Sequence, residues 1–152
     1  MKRTKYAVFL LLTLAACSKK KDEPTPPATR AQMLSAKKWQ LRSSTIEAPG
    51  QQLVDLYALL GACSKDDFEQ FNSPNTFIYD EGLTKCAPSD PQKQVGVWAL
   101  TNNDTQLTIT AAGSSATVQI DELTDSSFKF SLLEPQSNGV NAIIKQTFVA
   151  IN

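Results

Sequence analysis

From Trp39 onward the chain repeats one pattern, a short run in which apolar and polar residues alternate, closed by turn formers. The runs are Trp39 to Leu41, Gln106 to Thr110, Thr117 to Ile120 and Phe128 to Leu132. Successive side chains of a strand point to opposite faces, so each run has one apolar and one polar face, as a half-buried antiparallel strand does. Asp67 to Asn72, Thr76 to Asp80, Val95 to Thr101 and Ile143 to Ile151 add further candidates. The separators are rich in Asn, Asp, Ser, Gly and Pro, which turns favour: 72–75, 102–104, 112–115, 124–126 and 136–139. About eight short strands at this spacing predict a mainly β domain, an antiparallel meander that closes into a small barrel or packs as a sandwich. Closure removes the free edges that invite aggregation. The parity of the last strand stays open. Ile143, Val149 and Ile151 share a face with Lys145 and Thr147, while Phe148 lies on the other.

Two short helices are expected beside the strands. Thr29 and Gln32 stand at the spacing of a capping box, which opens a helix running to about Lys37. Leu53, Leu56, Tyr57 and Leu60 form one stripe at helical spacing, and Gly61 stands where a C-terminal cap takes a positive φ.

The N-terminal segment sets the compartment. Lys2, Arg3 and Lys5 precede an apolar run from Tyr6 to Leu14, the charged and apolar regions of an export signal. A bilayer span needs about 20 apolar residues, so this run is too short to cross one. Leu14-Ala15-Ala16-Cys17 resembles the bacterial lipobox, in which the cysteine thiol takes the lipid. Residues 1–16 are then a removable signal peptide. Residues 17–28 are a lipidated tether, extended by Pro24, Pro26 and Pro27. Residues 29–152 are one domain of common size. Anchoring is stable when more than one acyl chain inserts, and the membrane is therefore the first expected partner. Residue 18 is Ser rather than Asp, so the inner-membrane retention cue is missing. Lys21-Asp22-Glu23 resembles the export tether of surface lipoproteins, which favours the outer membrane and its outer face over the periplasmic face.

With Cys17 lipidated, Cys63 and Cys86 remain as a pair in an oxidising compartment, where a disulfide is expected. Two free buried thiols are the alternative. A zinc site has less support, because the chain has no histidine to complete a tetrahedral shell.

The missing histidine also rules out Ser-His-Asp and Cys-His catalysis. No Gly-rich phosphate loop occurs, so no nucleotide cofactor is expected. The carboxylate pairs Asp66-Asp67, Asp80-Glu81 and Asp121-Glu122 are adjacent in sequence, which in a strand sends them to opposite faces. They read as solvated or turn-capping residues, and an enzyme is not expected. From residue 29 onward there are nine basic and 13 acidic residues, the wrong balance for nucleic acid. Neither a metal nor another cofactor is implied.

The order of several blocks carries a family resemblance. Leu34 to Leu41 with Trp39 comes first, then Cys63 to Asn72 with Asp66-Asp67, then Thr76 to Asp80 and Cys86. Gly96-Val97-Trp98, Gln106 to Ile109, Ile120 to Thr124 and Phe128 to Phe130 follow. This resembles the lipocalin-like domain of many bacterial lipoproteins, over about residues 30–152. The resemblance implies an up-and-down antiparallel barrel. Two features depart from it. Ala36-Lys37-Lys38 replaces a glycine before the first tryptophan, and Glu47 to Gly61 is long enough to cover a barrel mouth.

The aromatic set is the only ligand-facing feature. Trp39, Phe77, Tyr79, Trp98, Phe128 and Phe130, with Leu107 and Ile109, are the candidate lining. A barrel of this size is either filled by side chains or holds one small ligand, and in so short a chain the filled core is the simpler outcome. The resemblance implies the other: capture of a small apolar molecule or lipid. The alternative function is a structural or interaction module with a filled core that meets another envelope or host component.

Overall fold

The computed structural model describes residues 26–137 and 139–152. The export signal, Cys17 and the tether up to residue 25 lie outside the described residues. Nine strands form one antiparallel sheet: β1 (Lys38–Glu47), β2 (Val54–Asp55), β3 (Phe68–Asn72), β4 (Thr76–Asp80), β5 (Lys93–Thr101), β6 (Gln106–Ala111), β7 (Ser114–Leu123), β8 (Ser127–Pro135) and β9 (Asn141–Ile151). β1 pairs with β9 as well as with β3, so eight strands close into an up-and-down barrel and β2 is an addition to it. Apart from the passage from β2 to β3, which pair with different halves of β1, each connection joins neighbours in space. The β6–β7 turn has only Ala112 and Gly113, both with positive φ, as a tight hairpin turn of matching twist requires.

One helix, α1 (Arg30–Ser35), is built as its capping box predicts. Thr29 Oγ1 accepts from the Gln32 N–H at 3.2 Å, and Gln32 Oε1 accepts from the Thr29 N–H at 2.8 Å. Its buried Leu34 plugs one end of the barrel, and the Leu34 carbonyl accepts the indole N–H of Trp39 at 2.9 Å.

The second expected helix is not there. Val54 and Asp55 instead pair with Ile46 and Thr45 of β1, and turns follow. Gly61 has φ −61° and ψ 159°, an extended conformation and not the positive-φ cap expected of it. The cause lies in β1. β3 pairs with it only at Lys38 and Trp39, so the far half of that edge would be bare. A strand edge exposes unpaired N–H and C=O groups, and satisfying them outweighs a helical stripe too short to be stable alone. Leu53 and Leu59 stay exposed as a result.

Two bulges explain why alternation was legible only in fragments. In β1 the register shifts between Leu41 and Ser43. Trp39 and Leu41 therefore face inward, and after the extra residue Ser44 does. In β7 a shift between Ile120 and Glu122 does the same, with Val118 and Ile120 inward and then Leu123 against Phe128. A bulge inserts one residue and so reverses parity beyond it. The last strand resolves through its neighbours: Phe148 is opposite Leu41 on one side and Phe128 on the other, and is buried.

The α1 end of the barrel is filled with aromatic rings. Phe128 lies with its centroid 5.8 Å from Trp39, 6.2 Å from Phe71, 5.5 Å from Phe130 and 5.7 Å from Phe148. Trp98 meets Phe71 edge-on, and its indole N–H donates to the Asn72 carbonyl at 3.0 Å. Gly96 keeps this wall tight. A Cβ there would stand 2.2 Å from the Thr110 carbonyl oxygen, which is backbone of the neighbouring strand. Replacing Gly96 with alanine therefore forces β5 and β6 apart. The expected cost is about 1–3 kcal/mol, read as a lower urea midpoint; an unchanged midpoint would show that the wall yields freely.

Candidate functional site

Away from α1, the barrel is open inside. A cavity of about 360 Å³ lies beneath the β6–β7 hairpin, walled by Phe77, Ile109, Val118, Phe130, Leu132 and Ile144, with Glu69 and Gln146 as polar members. A second space of about 280 Å³ adjoins it, bounded by Leu41, Asp67, Phe68, Tyr79 and Phe148 and by Leu60 and Ser64 of the segment after β2. Glu69 and Gln146 line both, so these two side chains stand at the junction. The long segment after β1 thus does reach the cavity, as loop rather than helix.

The aromatic set divides between the two ends. Phe77, Ile109 and Phe130 line the larger space, and Tyr79 lines the smaller. Trp39, Trp98, Leu107 and Phe128 belong to the filled end, where all four are buried. A barrel filled at one end and hollow at the other is the outcome, in place of a core filled throughout.

Period 2 places the polar residues. Phe71 of β3 is wholly buried, so Glu69 and Asp67, two and four positions before it, also face inward. In the ladder Glu69 lies between Trp39 of β1 and Tyr79 of β4. Its carboxyl turns into the barrel, where Oε2 is sealed from solvent and has no hydrogen-bond partner among the described residues. Burial pushes the Glu69 carboxyl up to about 7. Gln146, also near the cavity, donates to the hydroxyl of the buried Ser44 at 3.3 Å.

The neighbouring carboxylates each have a partner on one oxygen, while Oδ1 of Asp66 and Oδ1 of Asp67 are buried without one among the described residues. The Tyr79 hydroxyl donates to Asp67 Oδ2. Burial, followed by that bond, holds the Tyr79 phenol protonated well above its ordinary range. Burial also raises Asp67, against the lowering effect of Tyr79. Asp66 Oδ2 accepts from the N–H groups of Leu83 and Thr84, each at 2.9 Å. Asp80 accepts from Gly82 and Gln92 and pairs with Lys93 at 3.2 Å. Although burial acts to raise it, these bonds hold Asp80 below the usual carboxylate range. Glu81 accepts from the Cys86 N–H at 3.3 Å. These groups order the turn after β4, as expected of caps. On the far side of the barrel, Asp121 accepts from Ser131 and Glu122 pairs with Lys129 at 2.9 Å. Among the described residues no group of three or more potential ligands is placed to hold a metal ion.

Cys63 and Cys86 form a disulfide across 23 positions. It ties the short 3-10 turn Ala62–Ser64 to the loop after β4, beside the smaller space. Closing a loop of this length restricts the unfolded chain and stabilises the fold by about 3 kcal/mol. Glu69 was missed in the sequence because β3 carries Phe68 and Phe71 on opposite faces, which hides its parity. The available signal was its spacing of two from Phe71.

No curated protein matches the chain. The crystal structure of a lipocalin-like protein from Bacteroides uniformis is similar at 14% identity, covering 78% of this chain and 99% of its own, with a TM-score of 0.48. Residues 36–130 match the family described as Lipocalin-like domain. That match runs from the residue after α1 through the first half of β8, more than half of the chain, and the protein belongs to the lipocalin-like domain family.

Proposed function

We propose that this protein is a membrane-anchored envelope lipoprotein whose barrel captures a small, largely apolar molecule. The observation that carries the reading is the cavity of about 360 Å³ inside the hollow end. It falls at the lower end of the size range of small-molecule sites, and its mostly apolar walls with a few polar groups are their usual composition. Apolar lining releases water when a hydrocarbon body enters, at roughly 25 cal/mol per Å² removed from solvent. The filled aromatic end makes the site a pocket closed at its base rather than a channel.

The lipobox-like Leu14-Ala15-Ala16-Cys17 supports anchoring through Cys17, and Lys21-Asp22-Glu23 supports the outer face of the outer membrane. Native mass spectrometry of the protein drawn from its own envelope tests both halves. The expected mass begins at Cys17 and carries added acyl groups, together with a small molecule lost on denaturation. A chain retaining residues 1–16, or bearing no lipid, would remove the anchor from the reading. A ligand-free mass from gentle preparation would remove the capture role.

A further inference from the structure

We infer that the barrel cavity selects a small amphipathic amine, its cationic head on Glu69 and its apolar body against Phe77, Ile109 and Phe130. The inference rests on the capture role proposed above and specifies its ligand.

The apolar wall explains affinity for a hydrocarbon body but does not explain Glu69. A carboxyl taken out of water needs a hydrogen-bond partner or a counter-charge, and without one it costs free energy. Oε2 of Glu69 has neither among the described residues, as is also true of Oδ1 of Asp66 and of Asp67, and of these three residues Glu69 alone lines both spaces. Its partner is therefore expected from outside the chain.

The sign of the charge identifies that partner. The lining of the two spaces includes two carboxyl residues, Glu69 and Asp67, and no lysine or arginine. The nearest groups on the flanking strands supply no positive charge either. Tyr79 on β4 is a neutral phenol bonded to Asp67, Trp39 on β1 does not ionise, and Gln146 on β9 is an amide. A fatty-acid carboxylate entering this site would meet like charge once Glu69 is ionised, with no cation in the lining to offset it. An alkylammonium would meet a carboxyl group whose charge no cation in the lining offsets, and a charge-assisted bond is stronger than a neutral one. A neutral alcohol could donate to the same oxygen but would leave the carboxylate's charge uncompensated.

Binding of a cation is then linked to ionisation of Glu69. Burial pushes the carboxyl up to about 7, so an ammonium entering below that pH must displace a proton. Asp67, just before the same strand, and Tyr79 opposite are the other titratable groups lining the smaller space. The Tyr79 phenol stays protonated throughout this range, because burial and Asp67 raise it.

The test uses the whole chain as purified from its own cells and three probes with the same body, n-octylamine, n-octanol and octanoic acid. Binding is measured by calorimetry between pH 5.5 and 8.5 against protein-free buffer. Octylamine is expected to bind more tightly than octanol, and octanoate least at pH 8. Octylamine affinity should rise by up to about tenfold per pH unit below 7 and level off above it. Octanol affinity should show no such rise. In Glu69→Gln the amine should lose at least about tenfold in affinity at pH 8 while octanol is retained. Should that variant fail to fold, the pH profile of the unaltered chain still decides. Octanoate binding as tightly as octylamine, or amine binding without the pH rise, would overturn the amine assignment while leaving capture intact. Failure of all three probes to bind would overturn both.

Discussion

Replacing Phe128 with alanine lowers the stability of the fold by about 3–5 kcal/mol, the largest effect expected of any single substitution considered. Phe128 is completely buried and its ring stands within contact range of Trp39, Phe71, Phe130 and Phe148. Those rings come from β1, β3, β8 and β9, so no single strand can move to fill the space left behind. The loss combines the transfer free energy of the ring with a cavity term, because barrel walls held by ladders on both sides collapse little. Against a total stability of about 5–15 kcal/mol for a domain, this is a large fraction. Urea unfolding followed by tryptophan fluorescence measures it, since Trp39 is one of the rings in contact. A lower midpoint at unchanged slope is the expected result. A change below about 1 kcal/mol would mean that the end packed by α1 is loose and that the hollow end carries the core.

Stability should also fall as pH rises through the neutral range, because of Glu69. In the unfolded chain its carboxyl titrates near 4.5, and in the fold burial moves it to about 7. Below about pH 4.5 both states hold the proton, and the favourable contribution is fully present. Between 4.5 and 7 the unfolded chain releases its proton while the fold retains it, so stability declines. Above 7 both are ionised and the decline stops. The gap corresponds to about 3 kcal/mol. Asp67, also raised by burial, acts with the same sign, and Asp80, held low by its partners, acts with the opposite sign at lower pH. Comparing the unaltered protein with Glu69→Gln isolates the one group, since every other carboxyl is common to both. The two should be nearly equal in stability near pH 4, with the variant more stable by up to about 3 kcal/mol at pH 8. Parallel pH curves for the two proteins would place the Glu69 carboxyl in water and take away the basis for its role in the cavity.

Phe128 and Glu69 differ in how visible they were. Phe128 stands in the cleanest alternation of the chain, Phe128-Lys129-Phe130-Ser131-Leu132, and its burial follows from that run alone. Glu69 sits between two phenylalanines of opposite parity. The pairing of Trp39, Glu69 and Tyr79 across three strands settles which of the two parities faces inward. The turn residues were equally legible. Asn102, Asn103 and Asp104 all take positive φ, which Asn and Asp tolerate better than most residues.

Local chemistry thus determined the strands, the turns, the capped helix at Thr29 and the availability of Cys63 and Cys86 as a pair. Each depends on a residue and its near neighbours. Closure of the barrel, the bulges after Leu41 and Ile120, and the conversion of residues 54–55 from helical stripe to added strand were decided by the tertiary structure. These depend on which backbone edges remain unpaired once the other strands are in place. The hollow end has the same origin. Alternation says which side chains point inward, but whether they meet across the barrel depends on its circumference and on the sizes of residues from six or more strands. At one end Trp39, Phe71, Trp98, Phe128 and Phe148 are large enough to meet. At the other, Ala111, Ser114 and Ala116 are too small to fill the span, and the space they leave is the one Glu69 faces.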